Sequence, residues 1–333
     1  MKFGEKTNEL IKSVIKGKEH IKFTVGVLHE GQTTFKLFDS EGEIPYESHL
    51  YEIGSIGKVF VTSLLAKYLQ SGQMSLDDSI AKYIPELGDE KYYPTLKRLA
   101  LHTAGYPMRY PMTKREVFKV LIKQLTKQQV NAEHYVQMDY EKMIRLAKMS
   151  KLEDKDYKWN YSNFGISLLG YAVSKVAKRS FWDLMNDYLN EDLGLNNSFM
   201  GTNHPDILTG YNEKNKNVGN WSLGAEDYLT PAGNITSNAE DLLNFAKINI
   251  EESPDYLSLC HEFYDMNSQH SNMGLGWWID YKNPNMFYHG GNTSGFASVL
   301  AFDKEKKSAV VLLANVRFFK ECDEIFKDIL EKL

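Results

Sequence analysis

The chain has 333 residues, 42% of them hydrophobic and 25% charged, with a formal net charge of −5 at pH 7. That balance supports a globular protein with a large core, as one domain or two interleaved ones, and offers no basic footprint for nucleic acid or an anionic membrane. The two cysteines, Cys260 and Cys322, lie far apart with no Cys-x-x-Cys, which argues against a zinc ribbon or a thioredoxin-type site and leaves their pairing open.

Residues 1–17 are polar and lack the apolar centre of a signal peptide. The chain as written is therefore expected in the cytoplasm, or outside it if a leader has been removed. No stretch approaches the roughly 18 consecutive apolar residues of a membrane span, so no integral membrane segment is expected. Residues 5–19 pattern as an amphipathic helix. Ile21 to Leu28 and Thr33 to Phe38 alternate around Glu30-Gly31-Gln32, which predicts a hairpin. Leu50 to Ile53 reads as a short strand. It leads into Ser55-Ile56-Gly57-Lys58 and the apolar run from Val59, a buried central helix that closes near Gly72.

From Leu76 the pattern becomes mainly helical. A short helix opens at Asp77-Asp78 and ends before Pro85, and a second covers 95–101. His102-Thr103-Ala104-Gly105 stops it, and an aromatic and Met-rich loop runs from Tyr106 to Met112. Helical patterns follow at 113–127, 139–149, Phe164 to Ala177 and Phe181 to Leu193. Residues 201–234 are a long Gly/Asn/Asp-rich segment of the kind that is usually functional or mobile. Ser237-Asn238-Ala239-Glu240 matches a capping box ahead of a helix to about Ile250. Strand character then dominates: Met273 to Asp280, Met286 to His289, Phe296 to Phe302 and Ala309 to Ala314, with a last helix from Phe318 to Leu330.

These elements predict an α+β fold. One antiparallel sheet is built from segments 20–55 and 270–316, flanked by helices, with a mainly helical region inserted. The division expected is 1–75 with 236–333 as the sheet domain and 76–235 as the helical one. The Ser55 helix lies at their junction, a common place for a cleft.

The chemistry starts from Ser55 and Lys58. Residues three apart share a helix face, so the amine stands one turn from the hydroxyl. A serine needs a base within hydrogen-bond reach, and a lysine in an apolar setting can lose its charge and serve as one. A helix N-terminus adds N–H groups that favour an oxyanion. Taken alone, Ser-x-x-Lys is a loose pattern common in long chains, and the same residues read more readily as an N-cap and a solvated helix charge. Two further motifs stand beside them: Tyr161-Ser162-Asn163 ahead of a helix, and His289-Gly290-Gly291-Asn292-Thr293-Ser294-Gly295-Phe296 on a strand and its turn.

Together these resemble the serine β-lactamase and penicillin-binding-protein-like superfamily, in its branch of class C β-lactamases, D-alanyl-D-alanine carboxypeptidases and related esterases. Leu99 to Tyr106, Gly72 to Asp78, Pro231-Ala232-Gly233 and Gly274-Leu275-Gly276-Trp277 extend the likeness over roughly residues 20–316. The resemblance implies an acyl-enzyme on Ser55, with Lys58 taking up or relaying the proton and Tyr161 as second acid/base. Asn163 would bind the substrate amide or help hold Lys58, and His289 would orient Tyr161 or a substrate carboxylate. The N–H groups of Ser55 and Asn292 would form the oxyanion hole, with Gly290 and Gly291 allowing close backbone approach. No cofactor and no metal are implied. The partner is a small-molecule or peptide substrate, and the oligomeric state is open.

Each residue has a plainer role available: Tyr161 is one of 20 tyrosines, Asn163 suits a cap, and His289 a core. His102 is read as structural. Glu153 to Tyr157 stand where the family often has a Pro-Gly turn, Ala104 where Ser is usual and Tyr106 where Leu is usual, which puts the substrate in doubt. The function expected is a serine hydrolase acting on an amide, ester or β-lactam carbonyl; the alternative is a penicillin-binding sensor that acylates without turnover.

Overall fold

The computed structural model describes residues 3–108, 139–221, 223–264, 271–317 and 320–333. Eight strands form one antiparallel sheet in the order β3-β2-β1-β11-β10-β9-β8-β7. They are β1 (Phe23–His29), β2 (Gln32–Asp39), β3 (Gly42–Ile44), β7 (Ser271–Met273), β8 (Trp278–Asp280), β9 (Met286–Asn292), β10 (Ala297–Asp303) and β11 (Ser308–Ala314). The sheet thus joins the two ends of the chain at its centre, where Val25 faces Leu312.

β10 and β11 are buried at every residue, which explains their unbroken apolar runs. Val299, Ala301, Val310 and Leu312 pack on one face against Ile11 and Val14 of α1 (Glu5–Ile15) and Ile325 and Phe326 of α9 (Lys320–Lys332). Leu300, Phe302, Val311 and Leu313 join the larger core on the other face. That core holds α2 (Gly57–Gln70) and α8 (Ala239–Glu251), where Phe60 stacks on Phe245 with centroids 4.1 Å apart. The layers are therefore helix, sheet, helix. α2 is buried throughout residues 57–66, so it packs as a central element rather than an amphipathic cover.

Several sequence expectations change in detail. Tyr51–Glu52 (β4) does not join the main sheet. It pairs with β6 (Ile235–Ser237), which pairs with β5 (Phe199–Met200), in a separate three-stranded sheet. The segment from Met273 to Asp280 is a tight hairpin rather than one strand, because the Gly274 N–H turns back to the Trp277 carbonyl at 2.9 Å. The helix expected at Asp77 is two single 3₁₀ turns, Ile80–Lys82 and Pro85–Leu87. The cap of α8 is Asn238, whose side chain accepts from Asp241 N; Ser237 Oγ instead meets Ser198 Oγ at 2.8 Å, and Glu240 accepts from Tyr46 and Ser48. α6 (Phe181–Asp187) gives way to a π turn over Tyr188–Asp192.

Of the remaining helices, α3 spans Leu96–Ala100, α4 Tyr140–Met149, α5 Asn163–Ala177 and α7 Thr230–Gly233. The helix expected at 113–127 and part of the Tyr106 to Met112 loop lie outside the described residues. Cys260 and Cys322 are both buried, and neither takes part in a disulfide among the described residues. Among the described residues, no helix is long and apolar enough to cross a membrane.

Candidate active site

The Ser55 turn is held on three sides. The Ile53 N–H donates to the Ile235 carbonyl at 3.0 Å, tying the turn to the small sheet. The Ile53 carbonyl accepts from the buried Ser298 hydroxyl of β10 at 2.8 Å. Gly54 has φ +51°, and a Cβ there would lie 2.8 Å from the Asn292 nitrogen at the end of β9. Only glycine satisfies both constraints. Gly291 is as demanding, since its Cβ would meet the Ile53 carbonyl oxygen at 1.9 Å. Gly290 is not: its Cβ would find only ordinary contact, 3.7 Å from the Ser298 carbonyl. The close approach expected of both glycines therefore belongs to Gly291 alone.

Ser55 lies in a 3₁₀ turn (Gly54–Ile56) that runs directly into α2. Lys58, one turn on, is 1% exposed. Its Nζ donates to Ser55 Oγ at 2.9 Å and to the Ala232 carbonyl at 2.6 Å. The same nitrogen stands 4.9 Å from the centre of the Tyr161 ring. Ala232 belongs to α7, so this short helix supplies the acceptor that fixes the amine.

Tyr161 precedes α5. That helix is capped by Ser162, whose Oγ accepts from Gly165 N at 2.9 Å and donates to the Pro107 carbonyl at 2.8 Å. Burial raises the Tyr161 phenol well above its ordinary value, with the nearby Ser55 hydroxyl pulling it partly back. The phenol is therefore protonated at rest. Two buried histidines flank its ring, His102 with centroids 4.7 Å apart and His289 at 6.4 Å. Burial, and then the charge of Lys58, pushes His289 down to about 3 and His102 well below the usual histidine value. Both are neutral. His289 Nδ1 lies 2.7 Å from the Gly290 carbonyl and must carry its hydrogen there. His102 Nδ1 accepts from the Ser162 N–H at 3.2 Å, so its hydrogen is on Nε2.

These groups meet at a cavity of about 400 Å³, lined among others by Ser55, Tyr161, Asn163, Trp221, Asn292 and Arg317. The Asn163 Oδ1 and Asn292 Oδ1 atoms are buried with no hydrogen-bond partner among the described residues. Of the two roles expected for Asn163, holding Lys58 is not seen; Ala232 does that. His289 and Gly291 stand behind the wall: His289 packs beside Tyr161 without a hydrogen bond to it, and Gly291 is a spacer against Ile53. Sequence reasoning named Pro231-Ala232-Gly233 only as part of the likeness and gave Ala232 no role, because its contribution is a backbone carbonyl. It read His102 as purely structural, although His102 sits against Tyr161 with φ +60°. The long segment at 201–234 contributes Trp221, Leu229, Ala232 and Gly233 to the cleft. Among the described residues, no group of three or more His, Cys, Asp or Glu side chains is placed to hold a metal ion.

The family model described as Beta-lactamase matches residues 10–327. The chain belongs to the beta-lactamase family. A beta-lactamase of Providencia stuartii is 24% identical over 256 residues, 74% of this chain and 60% of that protein. A beta-lactamase of Lysobacter lactamgenus is 33% identical over 210 residues, 61% of this chain and 48% of that protein. This family member therefore spans about half to three-fifths of the length of these curated relatives. Among solved structures, a class C beta lactamase from Rhodobacter sphaeroides superposes with a TM-score of 0.78 at 20% identity, covering 99% of each chain. A beta-lactamase/D-alanine carboxypeptidase from Pseudomonas syringae gives 0.78 at 20% identity, covering 98% of each. The α+β fold is thus that of the class C beta-lactamases.

Proposed function

We propose that this beta-lactamase family member is a serine hydrolase that works through an acyl-enzyme on a β-lactam, amide or ester carbonyl. The observation that carries the reading is the buried Lys58 amine, 2.9 Å from the Ser55 hydroxyl at the floor of a cleft. In the reactive state Lys58 is the neutral amine. It keeps one N–H on the Ala232 carbonyl and turns its lone pair to the Ser55 hydroxyl. Ser55 Oγ bonds to the substrate carbonyl carbon as its proton passes to Lys58, and the oxyanion meets the N–H groups of Ser55 and Asn292.

Tyr161, protonated at rest, gives its proton to the leaving nitrogen or oxygen as that bond breaks, and Lys58 returns a proton to Tyr161. Water then attacks the ester by the same route in reverse. Asn163 and Asn292, each with an unpartnered side-chain oxygen, receive substrate N–H groups. His289 and Gly291 act by positioning Tyr161 and the Ser55 turn. We further divide the chain into a sheet unit, 1–75 with 236–333, and a helical unit, 76–235, with the cleft where they meet.

The test is covalent. A fluorophosphonate is expected to label Ser55, and a chromogenic cephalosporin or a p-nitrophenyl ester is expected to turn over. Both activities disappear in Ser55→Ala. Peptide mapping that puts the label on another residue, or labelling that persists in Ser55→Ala, rejects the proposal. A burst of acylation without turnover selects the sensor instead.

A further inference from the structure

Asp227 is a half-buried carboxyl group with no cation beside it among the described residues. Its Oδ1 accepts from the Leu229 N–H at 3.0 Å. Burial pushes its pKa up to about 6, and that one backbone bond is all that opposes the rise. A carboxylate in this position has lost water without gaining a counter-charge, so a cation delivered to it gains more than one delivered to the open surface.

Asp227 lines a second cavity of about 460 Å³ that shares no lining residue with the catalytic cleft. The volume is in the range that takes small molecules. Met143, Phe181, Tyr228 and Pro231 give it an apolar, partly aromatic wall. Three cations also reach that wall, but Lys175 pairs with Glu86 at 2.6 Å, Arg179 pairs with Asp187 at 2.5 Å, and Lys178 is exposed.

The partition between the two cavities is one strip of chain. Asp227, Tyr228, Thr230 and Pro231 line the outer cavity, while Leu229, Ala232 and Gly233 line the cleft. Asp227 organises the strip, holding the Leu229 N–H with its side chain and accepting the Thr230 N–H at 3.0 Å with its carbonyl. Two residues further on, the Ala232 carbonyl holds Lys58.

We propose that the outer cavity is a second ligand site for an organic cation with a flat apolar body, its ammonium group on Asp227, and that occupancy is relayed along residues 227–232 to Lys58. The relay rests on the acyl-transfer reading; the binding does not.

Calorimetry on the full chain with benzylamine, benzyl alcohol and benzoate tests the binding. Benzylamine is expected to bind at least tenfold more tightly than the other two, equally well in Ser55→Ala. Asp227→Asn, which keeps an Oδ1 for Leu229, is expected to lose at least tenfold. Phe181→Trp fills the cavity without changing Asp227 and is expected to weaken benzylamine as well. Equal affinity for the alcohol or the benzoate, or wild-type affinity in both variants, overturns the site. Saturating benzylamine is then expected to change the rate of Ser55 labelling at least twofold in the wild type and not in Asp227→Asn. An unchanged rate overturns the relay. A chain whose Ser55 is never labelled overturns the acyl-transfer reading, and calorimetry still decides the site.

Discussion

Gly291→Ala adds one methyl group at a place where the backbone leaves none. The new Cβ would lie 1.9 Å from the Ile53 carbonyl oxygen and 2.5 Å from Ser298 Oγ, where ordinary contact begins at 3.4 Å. Gly291 is not among the glycines with positive φ, so alanine meets no backbone strain and the effect is steric alone. Either β9 or the Ser55 turn must retreat by about 1.5 Å, and the Ser298 bond to Ile53 is lost on the way. Overpacking of this kind costs about 1–3 kcal/mol. A misplacement of about 1 Å costs a reaction on the order of 10²-fold.

The expected outcome is a folded protein with Tm lowered by several degrees and a rate of Ser55 labelling down at least about 10²-fold. Gly290→Ala is the control, because its Cβ finds nothing nearer than 3.7 Å and is expected to leave both quantities within about twofold and 0.5 kcal/mol of wild type. Stopped-flow or gel-based labelling with a fluorophosphonate, beside a thermal melt, reads both variants. A Gly291→Ala protein labelled at the wild-type rate refutes the reasoning, as does a Gly290→Ala protein that loses as much.

Lys58→Met keeps most of the buried volume and removes the base, so labelling is expected to fall by about 10²–10⁴ while circular dichroism stays native; a variant that labels normally removes Lys58 from the mechanism. Tyr161→Phe deletes one hydroxyl and is expected to lower turnover by about 10²–10⁴ with the melt unchanged; wild-type turnover across pH 5–10 leaves the proton path to Lys58 and water. His289 and His102 are neutral in the fold, with His289 held down to about 3, whereas the unfolded chain takes up those protons near 6.5. The stability this gives is complete above pH 6.5 and declines as pH falls from there toward 3, by up to about 1.4 kcal/mol per pH unit for each histidine. Urea melts between pH 7.5 and 4.5 are expected to show a shallower slope for His289→Gln, and an identical slope contradicts the neutral buried state.

What was legible in the sequence was local. Ser55 and Lys58 are three residues apart, so helix geometry alone brings them together, and the unbroken apolar run of β11 already marks a strand covered on both faces. What was not legible depends on distant backbone. Nothing in the side chain of Ala232 announces that its carbonyl holds Lys58 from 174 residues away. Tyr51–Glu52 has ordinary strand character, and only the placement of Ser237 and Thr236 assigns it to the smaller sheet. His289 carries an acceptable ligand chemistry, yet its side-chain hydrogen bond goes to the neighbouring Gly290 carbonyl, a choice made by the turn rather than by the residue type. The resemblance makes Lys58 and Tyr161 two acid/base groups without saying which of them holds the proton at rest. In the fold, burial raises Tyr161, which makes it the proton carrier at rest.

The pairing of β1 with β11 has a consequence for the chain as it is made. Val25 and Leu312 face each other at the centre of the sheet, yet nearly the whole sequence lies between them. A ribosome has produced the β1–β2–β3 meander and the Ser55 helix long before β9, β10 and β11 emerge, so β1 waits with an open edge, the state in which a nascent chain most needs a chaperone. The serine waits with it. Gly291 and Asn292, which close the turn around Ser55, arrive only with the last strands, so assembly of the reactive centre coincides with closure of the sheet, and an incomplete chain carries the nucleophile without the means to use it.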